Sequence, residues 1–266
     1  MDGALSRQPD LPRRLARRDR DASQRANVAA GGSFRFAGGD ARTTVIGATG
    51  SGKSTCGIWM LAHQRLDLRP WVVVDAKRER IFDEVGFPPI VAIGLMEPPP
   101  KRPGLYLVSP RPGEEEALEN FLWRIWEHEN IGLYVDEGYL MPDGNAWPAI
   151  LQQGRSKRLP VIACTQRPVS VARPLFSEAN FYAVYRMVDR RDYKVVEGFV
   201  PGDLEAPLPQ YHWYWYDRDR NVLLHMGPVP SPEHVSALLR ERVPHKPRGW
   251  HPFSLIGQPS SERSRK

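Results

Sequence analysis

The chain has 266 residues and a formal net charge of +6, enough to bury a full core in one large α/β domain with tails. Its pI of about 9.4 suits a polyanionic partner without requiring one. Two cysteines, Cys56 and Cys164, fall inside predicted core elements, which argues against a disulfide framework or a zinc site and for a reducing compartment. No stretch has the length of a membrane span, and no apolar segment follows the N-terminal arginines as in a secretory signal, so a soluble cytoplasmic protein is expected.

Residues 1–32 hold few large apolar side chains and many arginines, among them Arg13, Arg14, Arg17, Arg18 and Arg20. Such a segment buries too little surface to offset its ordering entropy and reads as a basic, flexible arm. It is either a nucleic-acid or partner tether or simply a solvated tail. The folded region is expected over 33–244. The tail 245–266 has the same mixed character, with Trp250, Phe253 and Leu255 as docking points.

The run Gly47-Ala48-Thr49-Gly50-Ser51-Gly52-Lys53-Ser54-Thr55 follows the short apolar strand Thr43–Ile46 and precedes the helix Ser54–Leu66. It fits the P-loop pattern G-x-x-x-x-G-K-[ST] in its required strand–loop–helix context. The glycines let backbone N–H groups turn inward onto phosphate oxygens, and the helix adds the positive end of its dipole. Lys53 would reach the β- and γ-phosphates, and Ser54 would place its hydroxyl on Mg²⁺. The pattern predicts binding of a nucleoside triphosphate, ATP with Mg²⁺.

Further strands are expected at Trp71–Asp75, Leu105–Ser109, Gly132–Asp136 and Val161–Thr165, each a short apolar run typical of central strands. Glu114–Glu129 reads as a helix whose Leu118, Leu122, Ile125 and Trp126 share one face, with acids at its start. Strand and helix alternate, so the fold class is α/β, a mostly parallel sheet flanked by helices. Phe181–Val188 reads as a strand and Arg190–Gly198 as a short helix. Tyr211–Tyr216 and Val222–His225 flank Asp217–Asn221 as a C-terminal hairpin at the sheet edge. Its aromatic ladder fits a half-buried strand better than a base-stacking platform.

Leu133-Tyr134-Val135-Asp136-Glu137 is an apolar strand ending in two acids. After a P-loop this is a Walker B pattern, in which Asp136 serves the Mg²⁺ shell and Glu137 polarises the attacking water. Glu137 separates a hydrolase from a P-loop kinase, which acts on another acceptor. The strand Val161–Thr165 then ends in Thr165-Gln166, where Gln166 could sense the γ-phosphate. Arg155 and Arg158 precede that strand, at the end opposite the acids. Either could act as an arginine finger on a neighbouring subunit's nucleotide, or serve only as a surface cation.

The stretch Arg155 through Pro168, ending Thr165-Gln166-Arg167-Pro168, resembles the sensor region of the FtsK/HerA superfamily of DNA-pumping ATPases. Val74-Asp75-Ala76-Lys77 is similar to a V-D-P-K-like sequence of that superfamily, and the resemblance spans roughly residues 40–205. It implies a RecA-like P-loop fold with an additional strand beside the catalytic glutamate, and an oligomeric ring, a hexamer, threading double-stranded DNA. Arg158 and Pro160 replace a Gly and a His of the family pattern, which puts the finger loop in question. Full chromosome translocases add membrane spans and a winged-helix domain, for which this length has no room. In size the chain most resembles the genome-packaging ATPases of tailless, internal-membrane double-stranded DNA viruses. That resemblance implies an ATPase pumping DNA into a preformed capsid, with capsid vertex or portal proteins as partners, in the host cytoplasm and at the packaging vertex. The alternatives are an assembly, secretion or DNA-transfer motor of the same superfamily, and a nucleotide-dependent DNA-binding scaffold that hydrolyses little.

Overall fold

The computed structural model describes residues 33–78 and 90–244. The expectations for the arm 1–32 and the tail 245–266, including Trp250, Phe253 and Leu255, lie outside these residues.

Arg42–Ile46 forms β1, fully buried, with four β-branched residues after the arginine. The P-loop leads from it into α1, Lys53–Ala62. Next come β2, Pro70–Val74, and β3, Ile90–Ala92. β4 is Gly104–Val108, α2 Glu115–His128 and β5 Gly132–Val135. After α3, Ala146–Gln153, the chain forms β6, Val161–Thr165, the short α4, Pro174–Ser177, and β7, Phe181–Val184. It closes with α5, Arg190–Glu197, the hairpin β8, Trp213–Asp217, and β9, Val222–Met226, then α6, Pro232–Arg242.

Among the described residues the strands make one nine-stranded sheet in the order β3-β4-β2-β5-β6-β1-β7-β8-β9. From β3 to β7 all neighbours are parallel, whereas β7–β8 and β8–β9 are antiparallel. The central strands are buried on both faces, as parallel strands covered by helices must be. One face packs α1 and α6 around Trp59, Trp71 and Trp213. The other packs α2 and α3 around Phe121, Leu122, Trp147 and Ile150. A third cluster, with Phe176, Tyr182 and Val196, fills the space beneath α5.

The expected strands and helices are present with ends shifted by a few residues. The largest shifts are in the helix expected at Ser54–Leu66, which ends at Ala62, and in the strand expected at Phe181–Val188, where pairing with β8 stops at Val184. The hairpin does stand at a sheet edge, and its Trp213 and Trp215 are fully buried, as the packing reading of the aromatic ladder required. Four of these elements had not been anticipated: the edge strand β3, α3, the short α4 and α6. Among the described residues no helix is long and apolar enough to cross a membrane.

Candidate nucleotide site at the C-terminal edge of the sheet

Because β1, β6, β5 and β2 are parallel, their C-terminal ends converge on one edge, where a doubly wound sheet places its ligands. Each end delivers one part of the site. Strand β1 delivers the P-loop, whose backbone is fastened on both sides: the Gly47 N–H donates to Thr165 O at 3.2 Å and the Ala48 N–H to Arg186 O at 3.0 Å. A Cβ on Gly47 would lie 2.6 Å from both Ser51 Oγ and Tyr185 Cβ, so only glycine fits there. Gly52 caps α1 with φ 97°, a left-handed conformation that favours glycine.

Strand β5 delivers both acids, and each is completely buried. Glu137 Oε1 lies 3.0 Å from Lys53 Nζ and 3.8 Å from Lys77 Nζ. Burial raises the Glu137 carboxyl above its ordinary value, and the two ammonium groups oppose that rise. The Tyr134 hydroxyl donates to Asp136 Oδ1 at 3.1 Å and thereby fixes the carboxylate's orientation. Strand β6 lies between β5 and β1, the position of the additional strand, and delivers Gln166. The Gln166 amide is held at both ends. Its Oε1 accepts from the Thr49 hydroxyl of the P-loop, and its Nε2 donates to Tyr139 Oη at 3.0 Å. The Arg167 guanidinium lies 5.6 Å from the Tyr139 ring centroid.

The P-loop, Asp136, Glu137 and Gln166 are therefore brought together. Arg155 and Arg158 are not. Both are exposed and precede β6, at the sheet edge opposite the acids. Their loop is tied down by Asn130 N–H to Lys157 O at 2.9 Å and by Arg69 to Arg158 O at 2.8 Å. Arg158 takes a left-handed φ of 55°, so the turn persists although the family's glycine is absent. Sequence reasoning missed Lys77 as a partner of Glu137, and it missed Tyr139. Lys77 stood only in a motif quoted for its resemblance, and nothing local marked Tyr139.

The donor set fits Mg²⁺ with bound phosphates. Among the described residues no group of three or more His, Cys, Asp or Glu forms a metal cage. A Ser54 hydroxyl and an Asp136 carboxylate are hard oxygen donors of the kind Mg²⁺ takes alongside water and phosphate.

No protein-family model matches the chain. The DNA packaging ATPase P9 of Enterobacteria phage PRD1 is 37% identical over 208 residues, covering 74% of this chain and 90% of that protein. The chain belongs to the viral DNA-packaging ATPase family. Its fold agrees with more distant structures. The genome packaging NTPase B204 of Sulfolobus turreted icosahedral virus 2, solved with AMPPCP, superposes with a TM-score of 0.55 at 18% identity, covering 72% of this chain and 99% of that one. A two-ATPase portion of EssC from Geobacillus thermodenitrificans gives 0.53 at 16% identity, over 76% of this chain and 43% of that one. These folds share the mostly parallel sheet flanked by helices.

Proposed function

We propose that this packaging-ATPase family member hydrolyses ATP at the P-loop edge and uses the energy to drive double-stranded DNA into a preformed capsid. The observation that carries the hydrolytic part is Glu137: a buried carboxylate ion-paired to the P-loop lysine at 3.0 Å and one strand away from Gln166. A kinase or a passive DNA-binding scaffold has no use for that arrangement. The 37% identity to a named DNA packaging ATPase supports the cargo.

Before nucleotide arrives, Lys53 and Lys77 face Glu137, and the cations oppose the effect of burial on its carboxyl. An incoming triphosphate competes for Lys53, which can swing onto the β- and γ-phosphates as a mobile point charge. Glu137 is then free to accept a proton from the attacking water. Mg²⁺, held by Ser54 and Asp136, would neutralise charge developing on the phosphates. Gln166, already bound to the P-loop through Thr49, is in position to report loss of the γ-phosphate. That report has a route onward. Within the short turn Pro168–Ser170, the Val169 N–H donates to the buried Asp192 carboxylate at 3.0 Å, and Asp192 sits on α5 beside Arg190 and Arg191.

We assign the DNA-facing role to exposed basic groups such as Arg190 and Arg191, acting on phosphates rather than bases, with the segment Ala172–Asn180 as a second candidate. A ring of six copies would bring Arg155 or Arg158 of one subunit toward its neighbour's nucleotide, and would dock on capsid vertex or portal proteins at the packaging vertex in the host cytoplasm. The test is Glu137→Gln: turnover should fall about 10²- to 10⁴-fold while ATP affinity measured by calorimetry persists. Undiminished turnover would remove Glu137 from the chemistry.

A further inference from the structure

We infer that the cavity of about 550 Å³ beyond the P-loop is the seat of the nucleobase, with the Tyr211 ring as its stacking face. This rests on the ATP reading above and extends it to a subsite. The direction of the bound nucleotide follows from the fold. Glu137 and Gln166 stand on β5 and β6, to one side of β1, so the γ-phosphate end faces them. The nucleoside end must then leave past Thr55 on the other side, where β7, β8 and β9 lie.

That side holds a ready cavity. Tyr185 and Tyr211 line it together with the segment Pro228-Val229-Pro230-Ser231-Pro232, and the P-loop residues Gly52 to Thr55 close its inner end. The volume falls in the range of small-molecule sites, and the walls are mostly carbon, as a heteroaromatic ring requires. The proline-rich wall is preorganised, since each proline fixes its own φ. It is also anchored at both ends. Gly227 O accepts from Trp213 Nε1 at 2.8 Å, and the Ser231 side chain caps α6 by accepting from the His234 N–H.

Tyr211 carries two independent marks. Its side chain lies against the P-loop without being buried: the residue is 47% exposed, yet a Cβ on Gly52 would stand 3.4 Å from Tyr211 Cδ1. Its backbone has φ 61°, uncommon for a bulky side chain and costly to hold. The turn that enforces this is closed by His212 N–H to Pro209 O at 3.1 Å. An aromatic face kept exposed in a strained turn, directly over the phosphate loop, suits a planar base.

Calorimetric titration of the full chain with Mg²⁺ and either a non-hydrolysable ATP analogue or inorganic tripolyphosphate tests this. The wild type should bind the analogue more tightly than tripolyphosphate. Tyr211→Ala should weaken the analogue between about 5- and 100-fold and leave tripolyphosphate unchanged, whereas Tyr211→Phe should retain wild-type affinity for both. Unchanged analogue affinity in Tyr211→Ala, or equal weakening of both ligands, would overturn the subsite while leaving the ATP reading intact. A wild type that binds neither ligand would overturn the ATP reading and this subsite together.

Discussion

Glu137 sits at the end of an apolar strand with no exposure, between the ammonium groups of Lys53 and Lys77. Burial disfavours its charged form, and the lysines restore part of the loss. The net result is a carboxyl that titrates above the ordinary glutamate value of 4.5. A general base acts only when deprotonated, so falling pH must silence the site as it passes through that raised value. We expect the acid limb of kcat/KM for ATP to lie above pH 4.5; a limb at or below 4.5 would remove Glu137 as the titrating base. The same shift acts on folding with a definite sign. Between the unfolded and folded values the native state binds the extra proton, so this group's contribution to stability declines as pH rises through that window.

At the scale of elements, α1 and β6 meet at Gly57 and Cys164. A Cβ on Gly57 would lie 2.7 Å from Cys164 Sγ and 3.0 Å from the Tyr134 ring, so the phosphate loop's helix can approach the sensor strand only without a side chain there. Gly57→Val should cost about 1–3 kcal/mol through overpacking and lower the denaturation midpoint. Gly38→Ala, where nothing lies within 4 Å, should leave it almost unchanged. Equal midpoints for the two variants would contradict this packing.

Sequence legibility followed locality. The P-loop, the acid pair and the Thr165-Gln166 end of β6 were readable because each lies on a single strand or turn whose neighbours are its own context. The contacts of Gln166 with Thr49 and Tyr139, or of Glu137 with Lys77, join residues from separate parallel strands and leave no local trace. Helix α6 did carry a start signal in Ser231-Pro232-Glu233, an N-cap followed by proline in the first turn. Helix α3 carried a weaker mark, since its N-cap Asn145 makes no side-chain capping bond and it runs only from Ala146 to Gln153.

At the scale of the whole molecule, the two ends of the parallel strands are chemically distinct. The C-terminal edge collects the P-loop, Asp136, Glu137 and Gln166. The opposite edge exposes Arg155 and Arg158, too far round the sheet to serve the same subunit's nucleotide. In the proposed ring one edge would meet the other and complete each site from two copies, and an arginine acting so would be worth about 10³-fold or more in rate. Arg155→Ala and Arg158→Ala should each be tested alone and in an equimolar mixture with Lys53→Ala. The finger variant is expected to be inactive by itself and to recover part of its activity in the mixture, because some interfaces then pair an intact P-loop with an intact arginine. If both arginine variants keep full turnover, neither residue reaches a neighbouring site.

The central claim is that hydrolysis is coupled to duplex DNA. Steady-state ATP hydrolysis by the full chain, with and without long double-stranded DNA and at rising salt, measures that coupling most directly. The account predicts turnover stimulated by duplex, with stimulation fading as salt rises because the contacts are to phosphates, and lost in Glu137→Gln. Turnover that ignores duplex but responds to single strands or to a protein partner would contradict it.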